Sequence, residues 1–220
     1  MRGADNSDQN NTNMNTPEAR RPLASRSTRW AGFLSSAAVK AGFSADGISL
    51  LSLVFAAGGA AALLFVPRPW NLLAGAACVQ LRLLCNLLDG MVAIEGGRKS
   101  RVGALYNEVP DRVADSLFLV ALGYAIGISW LGWLAALAAA VTAYIRVLGG
   151  TLGLAQDFRG PQAKPHRMAV MTAGCLLGIG EYFLYGSQYI VEAAAWVIAV
   201  GSIVTCGTRL RAIASQLKAR

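Results

Sequence analysis

Along this chain, long apolar runs alternate with short polar breaks. The runs at about 48–66, 71–94, 104–128, 130–152, 168–185 and 189–206 each approach the ~20 residues that one helix needs to cross the hydrocarbon of a bilayer. The ten-residue alternation of a membrane barrel is missing from the sequence. The pattern therefore predicts an all-α integral membrane protein, a six-transmembrane-helix bundle. Ser44-Ala45-Asp46-Gly47 supplies turn chemistry before the first run, and Pro67-Arg68-Pro69-Trp70 stops it. Residues 29–43, RWAGFLSSAAVKAGF, mix aromatics with Arg and Lys, which predicts an N-terminal juxtamembrane amphipathic helix lying along the interface. Residues 1–28 are rich in Asn, Ser, Thr and Arg and have almost no large apolar side chain, so they read as a disordered cytoplasmic tail. That leaves 29–220 as one membrane domain, whose last stretch, TRLRAIASQLKAR, has the spacing of an interfacial helix end.

Charge adds an orientation. Residues are 55% hydrophobic and 15% charged, against about a quarter charged in soluble domains. The formal net charge of +8 would fit nucleic acid if the basic residues formed one patch. They sit instead at loops and termini, which fits anionic membrane lipids and excludes a nucleic-acid partner. Six spans place both termini and the connectors after spans two and four on one face. That face holds Arg20, Arg21, Arg26, Arg29, Lys40, Arg98, Lys99, Arg101, Arg159, Lys164, Arg167, Arg209, Arg211, Lys218 and Arg220, whereas the opposite connectors hold only Arg68. The asymmetry marks the basic face, with the N- and C-termini, as cytoplasmic, and the expected location is a bacterial inner membrane. Cys78, Cys85, Cys175 and Cys206 lie in apolar runs without metal-ligand spacing and read as free thiols.

The chemistry concentrates in residues 86–115, NLLDGMVAIEGGRKSRVGALYNEVPDRVAD, where carboxylates, amides and glycines interrupt two membrane spans. Asn86 and Asp89 are three apart on a helix and share a face, with Arg82 one turn further from the cytoplasm. Asn107, Asp111 and Asp115 recur at four-residue steps on another face. Two such stripes on helices joined by a short loop can chelate hard divalent ions that bridge carboxylates to phosphate oxygens. Gly90 and Gly103 remove side chains where a nucleotide or a neighbouring helix approaches the backbone. Polar glue between spans needs one or two such groups, and an ion path through the midplane would need a longer trail.

The stretch resembles the signature of the CDP-alcohol phosphotransferase (CDP-alcohol phosphatidyltransferase) family, D-x-x-D-G-x-x-A-R-x8-G-x-x-x-D-x-x-x-D. Asp89, Gly90, Ala93, Gly103 and Asp111 fall in register with it. The resemblance implies a membrane transferase in phospholipid biosynthesis, moving a phosphatidyl or similar phospho-alcohol group from a CDP-alcohol to an acceptor alcohol with release of CMP. It implies two divalent ions, Mg2+ or Mn2+, a CDP-activated lipid such as CDP-diacylglycerol as donor, and a homodimer. By position, Asn86, Asp89, Asn107 and Asp111 would be the metal set, and Asp111 also the base that takes the acceptor's proton. Three positions depart from the pattern: Asn86 stands for the first aspartate, Asn107 for the third, and Ile94 for the arginine. Exchanging two of four carboxylates for amides lowers the formal ligand charge from −4 to −2, and hard-cation affinity follows ligand charge. Asp115 and Glu108 could restore part of it, and Arg98 or Arg101 could stand in at the nucleotide phosphates. Arg146, deep in span four, and Lys164 and Arg167 in the following loop could hold a phosphate of acceptor or lipid. The alternative to an active enzyme is a catalytically weakened nucleotide- or lipid-binding membrane protein on the same scaffold.

Overall fold

A computed structural model describes residues 28–95 and 102–220. The tail expectation for 1–28, apart from Thr28, and the residues Arg98 and Arg101 lie outside this range. Among the described residues the chain forms seven helices and no strand: α1 (Arg29–Lys40), α2 (Ala45–Phe65), α3 (Trp70–Glu95), α4 (Gly103–Ala125), α5 (Ser129–Thr151), α6 (Lys164–Tyr185) and α7 (Tyr189–Lys218). Five of them, α2, α3, α5, α6 and α7, are long and apolar enough to cross a membrane. At 23 residues α4 is as long as its neighbours, but Glu108, Asp111, Arg112 and Asp115 crowd its first half.

Helix ends follow local chemistry. Ser44 caps α2 by accepting a hydrogen bond from the Gly47 amide at 3.1 Å. Gly186 ends α6 in the left-handed region at φ 65°, where a side chain would be strained. Two elements differ from their sequence-based bounds. The sixth run continues as one helix through the basic tail to Lys218. Meanwhile α6 begins at Lys164 rather than 168, because Pro165 falls in its first turn, where its missing N–H costs no helical bond. Lys164 and Arg167 are thereby lifted from a loop onto a helix.

The helices close into a ring, in which α2 packs on α3 and α4, α5 on α4 and α7, and α6 on α7 and α3, while α1 lies outside on α3. The core inside the ring is built from Leu72 and Val79, Phe118, Leu119 and Leu122, Leu131 and Ala135, Met168, Met171 and Cys175, and Val191 and Ile198. Small residues bring some helices together at backbone distance. A Cβ on Gly123 would lie 2.6 Å from the Cα and N of Gly132, so α4 and α5 meet with nothing between them. All four cysteines are free, two buried and two partly so.

At the end of the ring away from the site, Glu181 is buried. Its carboxylate accepts hydrogen bonds from Ser187 Oγ at 2.5 Å and from the amides of Tyr189 and Ile190 at 2.7 and 2.8 Å. It thus satisfies the first-turn N–H groups of α7 from a neighbouring helix.

Candidate active site

Buried charge gathers where the C-terminal half of α3, the N-terminal half of α4 and the first turn of α6 meet. From α3, Arg82 is fully buried at 0% exposure and extends to α4. Its Nη2 lies 3.1 Å from Asp111 Oδ1 and 2.8 Å from Asp115 Oδ1, and donates to the Asp111 carbonyl at 3.2 Å. One turn along α3, Asn86 donates from Nδ2 to Asp111 Oδ1 at 2.9 Å. From α6, Lys164 Nζ is ion-paired with Asp111 Oδ2, and Arg112 Nη2 stands 3.6 Å from the same oxygen. Behind this, Arg167 Nη2 meets Asp115 Oδ2 at 2.9 Å, while its Nη1 donates to the Gln162 carbonyl at 2.7 Å.

The two polar stripes do meet, through Asn86 and Asp111. The helices that carry them touch little of each other directly, since α2 packs against both. Their polar side chains therefore cross the inside of the ring, and α2 contributes as well: Ser49 Oγ donates to Asp89 Oδ2 at 2.7 Å. Pro110 precedes Asp111 inside α4 and leaves the Tyr106 carbonyl without its helical donor.

The remaining predicted positions divide. Gly90 and Ala93 are buried in α3, and Gly103 is the first residue of α4. Asn107 is exposed on α4. Asp115, 2% exposed, is ion-paired with two arginines, Arg82 and Arg167. Arg146 belongs to a second cluster: its Nη2 pairs with Glu108 Oε1 at 2.5 Å, its Nη1 donates to Gln156 at 2.6 Å, and its guanidinium lies 5.3 Å from the centre of the Phe158 ring. His166 is exposed.

The loop between α5 and α6 is bound down by side chains absent from the expected site. Arg209 of α7 donates to the Arg159 carbonyl at 2.9 Å and to the Thr142 carbonyl at 2.7 Å, and the Gln162 amide donates to Thr205 Oγ1 at 3.0 Å. In the same loop, burial disfavours the charged form of Asp157. Hydrogen bonds from the side chain and amide of Arg159 outweigh it and hold the Asp157 carboxyl below the ordinary range. Sequence offered a faint signal for Arg209 and Arg167, since both are cations beside apolar runs; their burial depends on partners far along the chain, the Arg159 and Thr142 carbonyls for Arg209 and Asp115 for Arg167.

As a divalent-ion site the arrangement is asymmetric. Both oxygens of Asp111 already face cationic or amide donors. No three His, Cys, Asp or Glu residues converge among the described residues. On the other side, Asp89 and the amide of Asn86 on the same helix offer hard oxygens with one formal negative charge, which suit an ion that also takes phosphate oxygens, whereas Asn107 is exposed on α4.

Comparison with known proteins places this chain. The sequence profile of CDP-alcohol phosphatidyltransferases matches residues 43–205. A phosphatidylinositol phosphate synthase of Streptomyces avermitilis is 30% identical over 81% of this chain and 73% of its own, and one from Mycobacteroides abscessus is 29% identical over 82% and 81%. Crystal structures of the Mycobacterium tuberculosis phosphatidylinositol phosphate synthase share the fold. The form with CDP-DAG bound superposes with a TM-score of 0.70 at 24% identity, covering 84% of this chain and 94% of that one. A complex of the same protein with manganese and citrate superposes with a TM-score of 0.70 at 23% identity, covering 83% and 88%. The chain therefore belongs to the CDP-alcohol phosphatidyltransferase family, metal-dependent membrane transferases using Mg2+ or Mn2+ that move a phosphatidyl group from a CDP-alcohol to an acceptor alcohol, with release of CMP, in phospholipid biosynthesis.

Proposed function

We propose that this chain joins the phosphatidyl group of CDP-diacylglycerol to a phosphorylated polyol of the inositol phosphate class. The relatives it matches along most of their length bear the name phosphatidylinositol phosphate synthase, and one solved relative holds CDP-DAG. The observation that carries the reading here is Lys164. Its ammonium is ion-paired with Asp111, yet its side chain keeps 23% exposure and a flexible stem. An incoming acceptor phosphate draws Lys164 off Asp111 Oδ2 and frees that oxygen to accept a proton. The acceptor hydroxyl then attacks the diacylglycerol-bearing phosphorus. A new P–O bond forms, the bond to CMP breaks, and the hydroxyl proton passes to Asp111. Arg146, with Glu108 as its resting partner, is a second cation for the acceptor, and Gly90, Ala93 and Gly103, with Arg98 and Arg101, serve the nucleotide side. Asn86, Asp89 and Asn107 would hold the divalent ion, whose chemistry is to neutralise the diphosphate, and Asp115 orients the cations behind it.

The same reading takes α4 as a sixth span, since its charges face the ring interior through Asp111 and Asp115, and α1 as an interfacial helix outside the bundle. Both termini lie on the cytoplasmic side of a bacterial inner membrane, residues 29–220 form the membrane domain, and the protein works as a homodimer. A second reading rests on one observation: both oxygens of Asp111 are paired with donors in the resting site. On that reading the protein binds nucleotide lipid without turning it over.

CMP release by the full chain in detergent–lipid micelles decides between them. CDP-diacylglycerol is supplied with Mn2+ or Mg2+ and a panel of acceptors: inositol phosphate, inositol, glycerol phosphate and serine. Release dependent on inositol phosphate bears the proposal out. Release with another acceptor overturns the acceptor class, and donor binding without release under any condition establishes the second reading.

A further inference from the structure

Arg82 is the least expected residue in the site. A fully buried guanidinium in a membrane span is costly unless paired, and two of its nitrogens, Nε and Nη1, have no hydrogen-bond partner. What it does have is two carboxylates. Its Nη2 lies 2.8 Å from Asp115 and 3.1 Å from Asp111, the residue at the last aspartate of the family signature. Beside it, Asn86 directs an amide N–H at Asp111 Oδ1, the oxygen that Arg82 also holds, at 2.9 Å. An amide N–H is repelled by a metal ion, so this orientation suits an oxygen that faces the hydrogen-bond donors of Asn86 and Arg82 and not one that also binds a metal ion at the same point. A divalent ion on Asp111 Oδ1 would have to displace Arg82 from that oxygen and leave Asp115 as its one carboxylate partner.

We infer that Arg82 is a built-in cation that takes the place of one of the family's two divalent ions, so that this site holds no more than one. Two of the three departures, Asn86 and Asn107, then form a matched set with Arg82. Two aspartates become amides, which removes two negative charges, and a fixed positive charge stands where the second ion would neutralise the remaining pair. The Asp89 side keeps its carboxylate, with Ser49 on Oδ2, and takes the single ion. The inference rests on the assignment of Asp89, Asn86 and Asn107 to the metal side.

Mn2+ titration of the purified full chain, followed by electron paramagnetic resonance, tests it without any turnover. At saturation the expected result is at most one Mn2+ per chain with no Mn–Mn coupling; two coupled ions per chain overturn the inference. A second measurement uses Arg82→Met and Arg82→Lys, with the thermal midpoint read in EDTA and in Mn2+. Arg82→Met exposes Asp111 and Asp115 to the open position, so its midpoint rises with Mn2+ more than that of the natural chain, while Arg82→Lys behaves like the natural chain. An Arg82→Met midpoint that responds to Mn2+ no more than the natural chain's leaves Arg82 as a packing residue and overturns the inference. Two coupled ions with CMP release intact would sink this inference alone; one ion bound with no CMP release from any acceptor would sink the proposed function alone.

Discussion

Arg167 on α6 and Asp115 on α4 meet at 2.9 Å, with both side chains almost wholly buried. These helices are not neighbours in the ring, so the pair spans its interior and holds the first turn of α6 against the site. Arg167 also donates to the Gln162 carbonyl, tying in the end of the loop. Breaking a buried pair from one side leaves an uncompensated charge at a cost of about 3–5 kcal/mol. Arg167→Leu should lower stability by that amount, read as the unfolding midpoint in detergent. An unchanged midpoint would show that Arg82 alone suffices for Asp115.

The contact between Gly123 and Gly132 offers a cleaner packing test, because the clash involves backbone that cannot rotate away. Gly123→Ala places a methyl 2.6 Å from the Cα and N of Gly132. Forced separation of α4 from α5 should cost about 1–3 kcal/mol. Gly58→Ala in α2, where an added Cβ meets nothing within 4 Å, should shift stability by less than about 1 kcal/mol. Equal effects at the two positions would mean that the α4–α5 approach is looser than its geometry indicates.

The sequence foreshadowed these helices unevenly, and the reasons are physical. Membrane insertion demands uninterrupted apolar length, so α2, α3, α5 and α7 begin within a few residues of their predicted starts. The stripe geometry of Asn86 and Asp111 also follows from helical spacing, and the two residues do touch. Lys164 and Arg167 were less legible, since charged residues before an apolar run read equally well as a cytoplasmic loop. Only Pro165, whose place at a helix start is permissive rather than required, hinted that α6 begins there. Arg82 could be seen as an intramembrane charge, but which carboxylates it serves depends on the way α2 separates α3 from α4. Glu181 was harder still, because its partners are the backbone amides of another helix.

Glu181 therefore makes its own prediction. Glu181→Ala removes the acceptor for Ser187 and for two first-turn amides of α7. Donors left unsatisfied cost about 1–3 kcal/mol, so stability should fall by that order. Hydrogen exchange at Tyr189 and Ile190 should accelerate while CMP release at a permissive temperature persists, since Glu181 lies at the far end from the site. Unchanged exchange at these two amides would mean that water replaces the carboxylate.

The coupling of Lys164 to Asp111 predicts that two substitutions in contact will fail in different ways. Asp111→Asn keeps size and most hydrogen-bonding shape but cannot take up the acceptor proton, and loss of a general base lowers rate by about 10²–10⁴-fold. It should reduce kcat for CMP release by that factor while leaving CDP-diacylglycerol binding nearly unchanged. Lys164→Met instead removes the cation that exchanges between Asp111 and the acceptor phosphate. A lost charged hydrogen bond corresponds to about 10- to 100-fold in affinity, so KM for inositol phosphate should rise by that order with little change in KM for the donor. Because Lys164 also restrains Asp111 at rest, the Met variant should keep or raise kcat at saturating acceptor, a direction that a purely structural lysine would not produce. A drop in kcat for Lys164→Met as large as that for Asp111→Asn would mean that the ion pair itself is the working form of the site.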